Sequence, residues 1–297
     1  MNGGIGLDRL SLNQATVKHL GLKEAVALCV RHDIGAIGLW RDRVAEAGLA
    51  EAAAAVRAAG LRVSSLCRGG FFTVADPDGR RAALADNLAA IAEAAELGTG
   101  TLVLVCGGLP PGQRDLGLAR RMVADAIGVL VPEALRLGVR LGIEALHPIF
   151  CADRCVISSL GEAVDLALLF PADAVGVVVD TYHVWWDARL ADEIARAGRR
   201  IVSFQVCDWV LPLPADTLLG RGHLGDGCID FAPIAAAVEA AGYDGDVEVE
   251  IFNAEVWDAP PDQTAATVRE RFAAVLGGVL GRPGVRNGGG GVPRPPA

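Results

Sequence analysis

Four side chains able to hold a cation or move a proton stand at or near the ends of separate apolar runs. Glu144 closes 140–144 (RLGIE), Asp180 closes 176–180 (GVVVD), Gln205 follows 201–204 (IVSF) and Glu250 follows 247–249 (VEV). Short Val/Ile/Leu runs followed by helical stretches read as buried parallel strands. A carboxylate at such a strand end gains nothing from packing and is costly unless a cation, a partner or a substrate meets it. Taken singly, each is as consistent with a helix cap or a loop ion pair; the occurrence at four ends in one half of the chain marks a site. Two Glu, one Asp and one amide form an oxygen-rich set without thiolate. That chemistry suits a hard divalent cation, with Mn²⁺ expected first and Mg²⁺ or Co²⁺ next, over structural Zn²⁺.

Other polar and aromatic residues gather near strand ends. His147 lies just past Glu144 and either orients that carboxylate or contacts substrate. Arg68 precedes Gly69 and Gly70, where the backbone can turn sharply or approach a ligand closely. Trp40 ends one apolar run, and Trp185 and Trp186 follow His183. Aromatic faces beside a polar site serve as sugar platforms, or pack the rim of a barrel. Asp208 and Trp209 close another run, and Glu248 reads as a charge that supports the site or lies at the bottom of a barrel.

The elements that would carry these residues repeat as strand then helix. Strands are expected at 8–12, 36–40, 62–66, 101–106, 140–144, 176–180, 201–206 and 246–251, with helical periodicity at 49–59, 80–97, 116–137 and 231–241. Gly60, Gly98, Gly138, Gly198 and Gly242 stand at expected helix stops, and Ser159 with Glu162 fits a capping box. Eight such units predict an α/β fold, a (β/α)₈ TIM barrel over residues 1–280, followed by a disordered Gly/Pro/Arg-rich tail over 281–297. The competing doubly wound sheet would carry a Gly-rich loop after its first strand, and the chain has LNQAT there. In a barrel, strand carboxyl ends converge on one face, so the four oxygen donors would meet.

Composition narrows the function. Apolar residues make up 52 % of the chain and aromatics 5 %, which suits helices on buried strands. The net charge of −9 argues against nucleic acid as a partner. No run has the length and apolarity of a membrane span, and the first residues show no basic segment ahead of an apolar core, so a cytoplasmic location without membrane contact is expected. Seven Cys with no C-x-x-C pair read as free, mostly buried thiols.

Seven segments in order, LWRD (39–42), LCRGG (66–70), IEALHP (143–148), VDTYHVWW (179–186), FQVCDW (204–209), GDGCID (225–230) and EVEIFN (248–253), are similar to those of the sugar phosphate isomerase/epimerase family of the xylose-isomerase-like barrel superfamily. Its members include ketose 3-epimerases, hydroxypyruvate isomerase, inosose dehydratase and type-IV endonucleases, and the resemblance covers roughly residues 8–275. It implies that Glu144, Asp180 and Glu250 are metal carboxylates, with Gln205 where the family usually has His. It implies that Glu144 and Glu250 double as the acid/base pair, that His183 holds a substrate oxygen, and that Arg221, with His223 two residues on, contacts substrate oxygens. The implied activity is metal-dependent isomerisation or epimerisation of a small sugar, keto-sugar or polyol by a homodimer or homotetramer. Alternatives are a lyase or dehydratase acting on a keto-polyol or keto-glycoside, and a non-catalytic sugar-binding relative, which the Gln205 departure would suit. Phosphodiester hydrolysis needs more His ligands and a basic groove than five His and this charge supply.

Overall fold

The structure, a computed structural model, describes residues 6–280. The expected tail over 281–297 lies outside the described residues. Eight parallel strands close a barrel: β1 (Leu10–Asn13), β2 (Ala36–Trp40), β3 (Arg62–Gly70), β4 (Thr101–Val105), β5 (Arg140–Glu144), β6 (Val175–Asp180), β7 (Ile201–Val206) and, after a two-stranded ribbon of β8 (Asp208–Trp209) and β9 (Arg221–Gly222), β10 (Val247–Val249). Each strand pairs with its chain neighbour in the barrel, and β1 closes on β10. The helices that pack outside are α1 (Leu22–Arg31), α2 (Arg41–Ala47), α3 (Leu49–Ala59), α4 (Pro77–Leu97), α5 (Leu116–Leu137), α6 (Leu160–Ala167), α8 (Leu190–Ala197), α9 (Phe231–Ala240) and α11 (Pro261–Leu280); α7 (Thr181–Val184) and α10 (Ala254–Asp258) are short turns just past β6 and β10.

The expected barrel is therefore observed, with displaced boundaries. β1 starts at Leu10 because Leu7–Arg9 forms a 3₁₀ turn. β3 runs to Gly70, beyond the expected residue 66, because Gly70 approaches Val105 so closely that a Cβ there would lie 1.9 Å from its carbonyl oxygen. β10 ends at Val249, so Glu250 stands just past its strand. The Glu250 N–H still donates to the Val206 carbonyl at 3.2 Å, and Thr16 Oγ1 ties down both the Val249 carbonyl and the Ile251 N–H. Gly60, Gly98 and Gly138 end α3, α4 and α5 in the left-handed conformation that glycine adopts without strain. Ser159 caps α6 as expected, whereas Glu162 turns to Ser158 instead of closing the box.

Between barrel and helices lies a continuous aliphatic core of Val, Leu, Ile and Ala, each large side chain contributing about 1.5–3 kcal/mol on burial. Inside the barrel a smaller apolar plug, Cys67, Val103, Val178 and Val202, fills the centre. Two glycines make room for it: a Cβ on Gly176 would lie 2.3 Å from Val202, and one on Gly142 would lie 2.8 Å from the same side chain. Side chains two residues apart on a strand share a face. Glu144 is in register with the plug residue Val178, and Asp180 is two residues past Val178, so both project inward above the plug. Register continues from Asp180 to Gln205 and from Gln205 to Glu248, carrying the polar layer across β6, β7 and β10.

The seven thiols are free, as expected; Cys228 is exposed, unlike the buried Cys29, Cys67, Cys106, Cys155 and Cys207. Among the described residues no helix is long and apolar enough to cross a membrane.

Candidate metal-centred active site

The carboxyl-terminal mouth of the barrel holds a cavity of about 310 Å³ lined by Glu144, Glu250, His183, Arg221, Arg68 and Trp40, together with Phe71, Phe252 and Arg154. Glu144, Asp180 and Glu250 are all buried, with 6 %, 1 % and 4 % of their surface exposed. A carboxylate oxygen of Glu144, one of Asp180 and a ring nitrogen of His183 lie within 4.8 Å of one another. Burial holds the Glu144 carboxyl well above the usual range, reinforced by the charges of Asp180 and Glu250. Burial raises Asp180 as well, against the pull of Arg221. Glu250 is pushed up to about 8, again by burial first, with Arg221 opposing.

Arg221 is the counter-charge. It is 2 % exposed, and its Nη1 donates to Asp180 Oδ2 and Glu250 Oε2, both at 3.0 Å. Its guanidinium lies between the rings of Tyr182 and Phe252, and Nη2 meets His183 Nε2 at 3.0 Å. The β8–β9 ribbon puts it there, with Trp209 and Arg221 in antiparallel register. Asn253 Nδ2 donates to the Arg221 carbonyl, and Tyr182 Oη donates to the Thr217 carbonyl in the connecting loop. Asp208 does not face the carboxylates. It accepts from the N–H groups of Trp209, Gly225 and Ile229, and so shapes the loop behind the ribbon. Asp230 occupies the N-cap of α9 without a side-chain hydrogen bond.

His183 is fully buried and its pKa falls well below the ordinary value, through desolvation and then Arg221, so it is neutral at physiological pH. Its Nδ1 accepts from the His147 N–H at 3.2 Å. Arg68 sits where the β3–β4 register slips between Cys67 and Gly69, a bulge that re-aims the side chain toward the mouth. Asn87 of α4 clamps the end of β3 by bonding both the N–H and the carbonyl of Gly70. Trp40 packs edge-on against Phe252 at 5.6 Å and, with Phe71, faces the Arg68 guanidinium.

Three expected substrate contacts stand apart from this cavity. The His147 ring packs on Trp209 and Trp186, and its Nδ1 accepts from the Ile149 N–H, which uses it locally. Trp186 donates to the His183 carbonyl and stays 38 % exposed. His223 follows the ribbon strand, half-buried, and does not line the cavity. Conversely, Phe252, Phe71 and Arg154 line it without having been singled out. The first two follow Glu250 and Arg68 closely enough for strand-end position to have flagged them.

Gln205 is buried beside Asp180. Its Nε2 donates to Glu248 Oε1 at 3.2 Å and its Oε1 has no hydrogen-bond partner. The donor set suits a divalent cation: three buried carboxylates face one guanidinium, and a buried amide oxygen is left unspent. A second grouping, Cys67 with Glu248 and Glu250, is less apt, because burial holds the Cys67 thiol well above its ordinary pKa and donors already surround Glu248.

Residues 17–274 match the family model described as a xylose isomerase-like TIM barrel, and the chain belongs to that family. It is similar to the inosose isomerase of Bacillus velezensis, 23 % identical over 90 % of this chain and 97 % of that protein. It is also similar to the 3-dehydroshikimate dehydratase of Pseudomonas putida, 31 % identical over 58 % of this chain but only 26 % of that longer protein. Among solved structures, protein SMc04130 from Sinorhizobium meliloti 1021 superposes with a TM-score of 0.88 at 48 % identity, covering 91 % of this chain and 98 % of the other. The IolI protein with a bound zinc atom superposes with a TM-score of 0.80 at 20 % identity, covering 91 % and 99 %.

Proposed function

We propose that the chain is a divalent-metal-dependent isomerase or epimerase that moves a proton next to a carbonyl on a small sugar, keto-sugar or polyol. The observation that carries this reading is the buried grouping of Glu144 and Glu250, which line the cavity, with Asp180 beside them, Asp180 and Glu250 both paired to Arg221. Glu144, Asp180, Gln205 and Glu250 would hold the cation, Mn²⁺ by preference. When bound, the cation supplies Lewis-acid polarisation of the substrate carbonyl.

The remaining work falls to side chains of this chain. Glu144 and Glu250 stand at the ends of β5 and β10, separated around the barrel by β6 and β7, and so can approach one carbon from different sides. Burial pushes the Glu250 carboxyl up to about 8 before any cation binds, so the site takes up a proton readily, as a general acid/base must. Arg221 and the neutral His183 ring, which meet at 3.0 Å, stand on the cavity lining where a substrate oxygen would reach them. Trp40 and Phe252 supply an apolar wall that limits water. The isomerase, epimerase and dehydratase names of similar proteins support an enzyme of this kind. We further propose that the barrel over residues 1–280 is a single catalytic unit that assembles as a homodimer or homotetramer in the cytoplasm.

The test is metal analysis of the purified protein followed by incubation with a panel of ketoses and keto-polyols in deuterated water. Wash-in of deuterium at one carbon, dependent on the metal, is the expected result. A panel without exchange by metal-loaded protein would count against it. One observation favours the lyase alternative. Among the described residues Arg68 makes no ion pair or hydrogen bond and faces the cavity, a free cation suited to an anionic substrate. A product that has lost water, read as the absorbance of a new conjugated double bond, would select that reading.

A further inference from the structure

Glu248 does not line the cavity, yet it is fully buried directly beneath the site. Its two oxygens accept from Asn13 Nδ2, Ser64 Oγ, Ser65 Oγ and Gln205 Nε2, side chains brought from β1, β3 and β7. The cradle is built to size: a Cβ on Gly38 would lie 2.5 Å from the Glu248 carboxyl group. Every partner is a donor, so the carboxylate dictates how each is turned.

The consequence is sharpest for Gln205. A primary amide has one accepting end and one donating end. With Nε2 on Glu248, the oxygen is left free; rotated by half a turn, the oxygen would face the Glu248 carboxylate and the donating end would take its place. A neutral amide needs such an orienter to act as a cation ligand, because its donating end repels a cation. The same carboxylate fixes Asn13, whose Oδ1 accepts from the Ala15 N–H and from Trp40 Nε1, both at 2.8 Å. Glu248 is thereby tied to the buried amide of Gln205 and to the indole on the cavity wall.

We propose that Glu248 is a positioning residue that holds Gln205 with its amide oxygen presented to the cation and, through Asn13, holds Trp40 at the mouth. This rests on the metal reading above. The test compares Mn²⁺ affinity, by electron paramagnetic resonance of the free ion, in the wild-type chain, in Glu248→Gln and in the exchanged pair Gln205→Glu/Glu248→Gln. Glu248→Gln should bind Mn²⁺ about 10- to 100-fold more weakly, the usual effect of losing an orienting partner. The exchanged pair should return to wild-type affinity or better, because a carboxylate at 205 presents an oxygen whichever way it turns and the amide at 248 donates to it. A purely structural role would lower the thermal midpoint in both variants and would not produce this recovery.

Equal affinity in wild type and Glu248→Gln would overturn the proposal and leave the metal reading standing. A wild-type chain that binds no divalent cation would remove both. Weakening without recovery in a folded exchanged pair would also overturn it. Should Glu248→Gln fail to fold, wild-type protein labelled with ¹⁵N-glutamine gives the answer. Mg²⁺ should shift the Gln205 side-chain amide resonance while its Nε2 protons remain protected from exchange, and an unshifted, freely exchanging amide would overturn the proposal.

Discussion

Glu144 and Glu250 share burial and a raised pKa but differ in company. Glu250 accepts a hydrogen bond from Arg221, whereas the Glu144 carboxyl pairs with that of Asp180. If they carry the proton between two faces of a carbon, replacing either with Gln keeps shape and an oxygen donor and removes proton transfer. Turnover by Glu144→Gln and by Glu250→Gln should each fall by about 10²–10⁴-fold. Metal content must be measured on the same samples, because loss of the ion would imitate loss of the base. Near-normal turnover with metal retained would show that neither carboxylate moves the proton. The carboxylates were legible from sequence because an acidic residue at the end of a run such as GVVVD has no packing reason to be there. Arg221 was legible only through family resemblance. Its burial was not, since LLGRGH carries no apolar run that would announce a buried guanidinium. Glu248 could have been read further: it precedes Glu250 by two, and on a strand that spacing puts both on one face.

At the scale of elements, the barrel was readable from the recurrence of strand and helix, and the β8–β9 ribbon was not. Two-residue strands leave no periodicity, and their pairing is set by Asp208 gathering the N–H groups of residues far along the chain. The slip in β3 that aims Arg68 was equally hidden, although Gly69 and Gly70 marked a backbone special in some way. α4 secures that strand end through one residue. Replacing Asn87 with Ala leaves the buried N–H and carbonyl of Gly70 without partners. The expected cost is about 1–3 kcal/mol of stability, read by chemical denaturation. The Michaelis constant should also rise more than turnover falls, because Arg68 touches substrate and not the reacting carbon in the reading proposed. A variant as stable as wild type would show that the clamp is dispensable.

For the whole molecule, the buried carboxylates make stability a function of pH with a definite sign. Glu250 titrates near 8 in the folded chain, against an ordinary value of 4.5. Between these values the metal-free folded chain holds a proton that the unfolded chain has released. The stabilisation is complete below pH 4.5 and is lost as pH rises through about 8. Glu144 acts in the same direction. The thermal midpoint of metal-free protein should therefore fall from pH 7 to pH 9, a window above the range in which the buried neutral His183 acts in the opposite direction, and saturating Mn²⁺ should flatten the slope, because the cation takes over from the proton. Mn²⁺ affinity should rise over the same range. A metal-free midpoint that climbs with pH would contradict the burial of these groups as ionisable acids.

The counter-charge of the site does not belong to the barrel. Arg221 arrives on a ribbon that leaves the wall at Asp208 and whose connecting loop sends Leu218 to the cavity lining, so that loop is fastened as a cover by the same ion pairs that quiet the acids. A divalent ion settling among those acids would spend the attraction that keeps the lock shut and repel the guanidinium at close range. Charging the chamber and unlatching its cover are then one event. Loading should make the exposed stretch between the ribbon strands, around Leu211, easier for a protease to cut, and adding substrate should protect it again. Equal cleavage with and without Mn²⁺ would mean the cover stays fastened by other means.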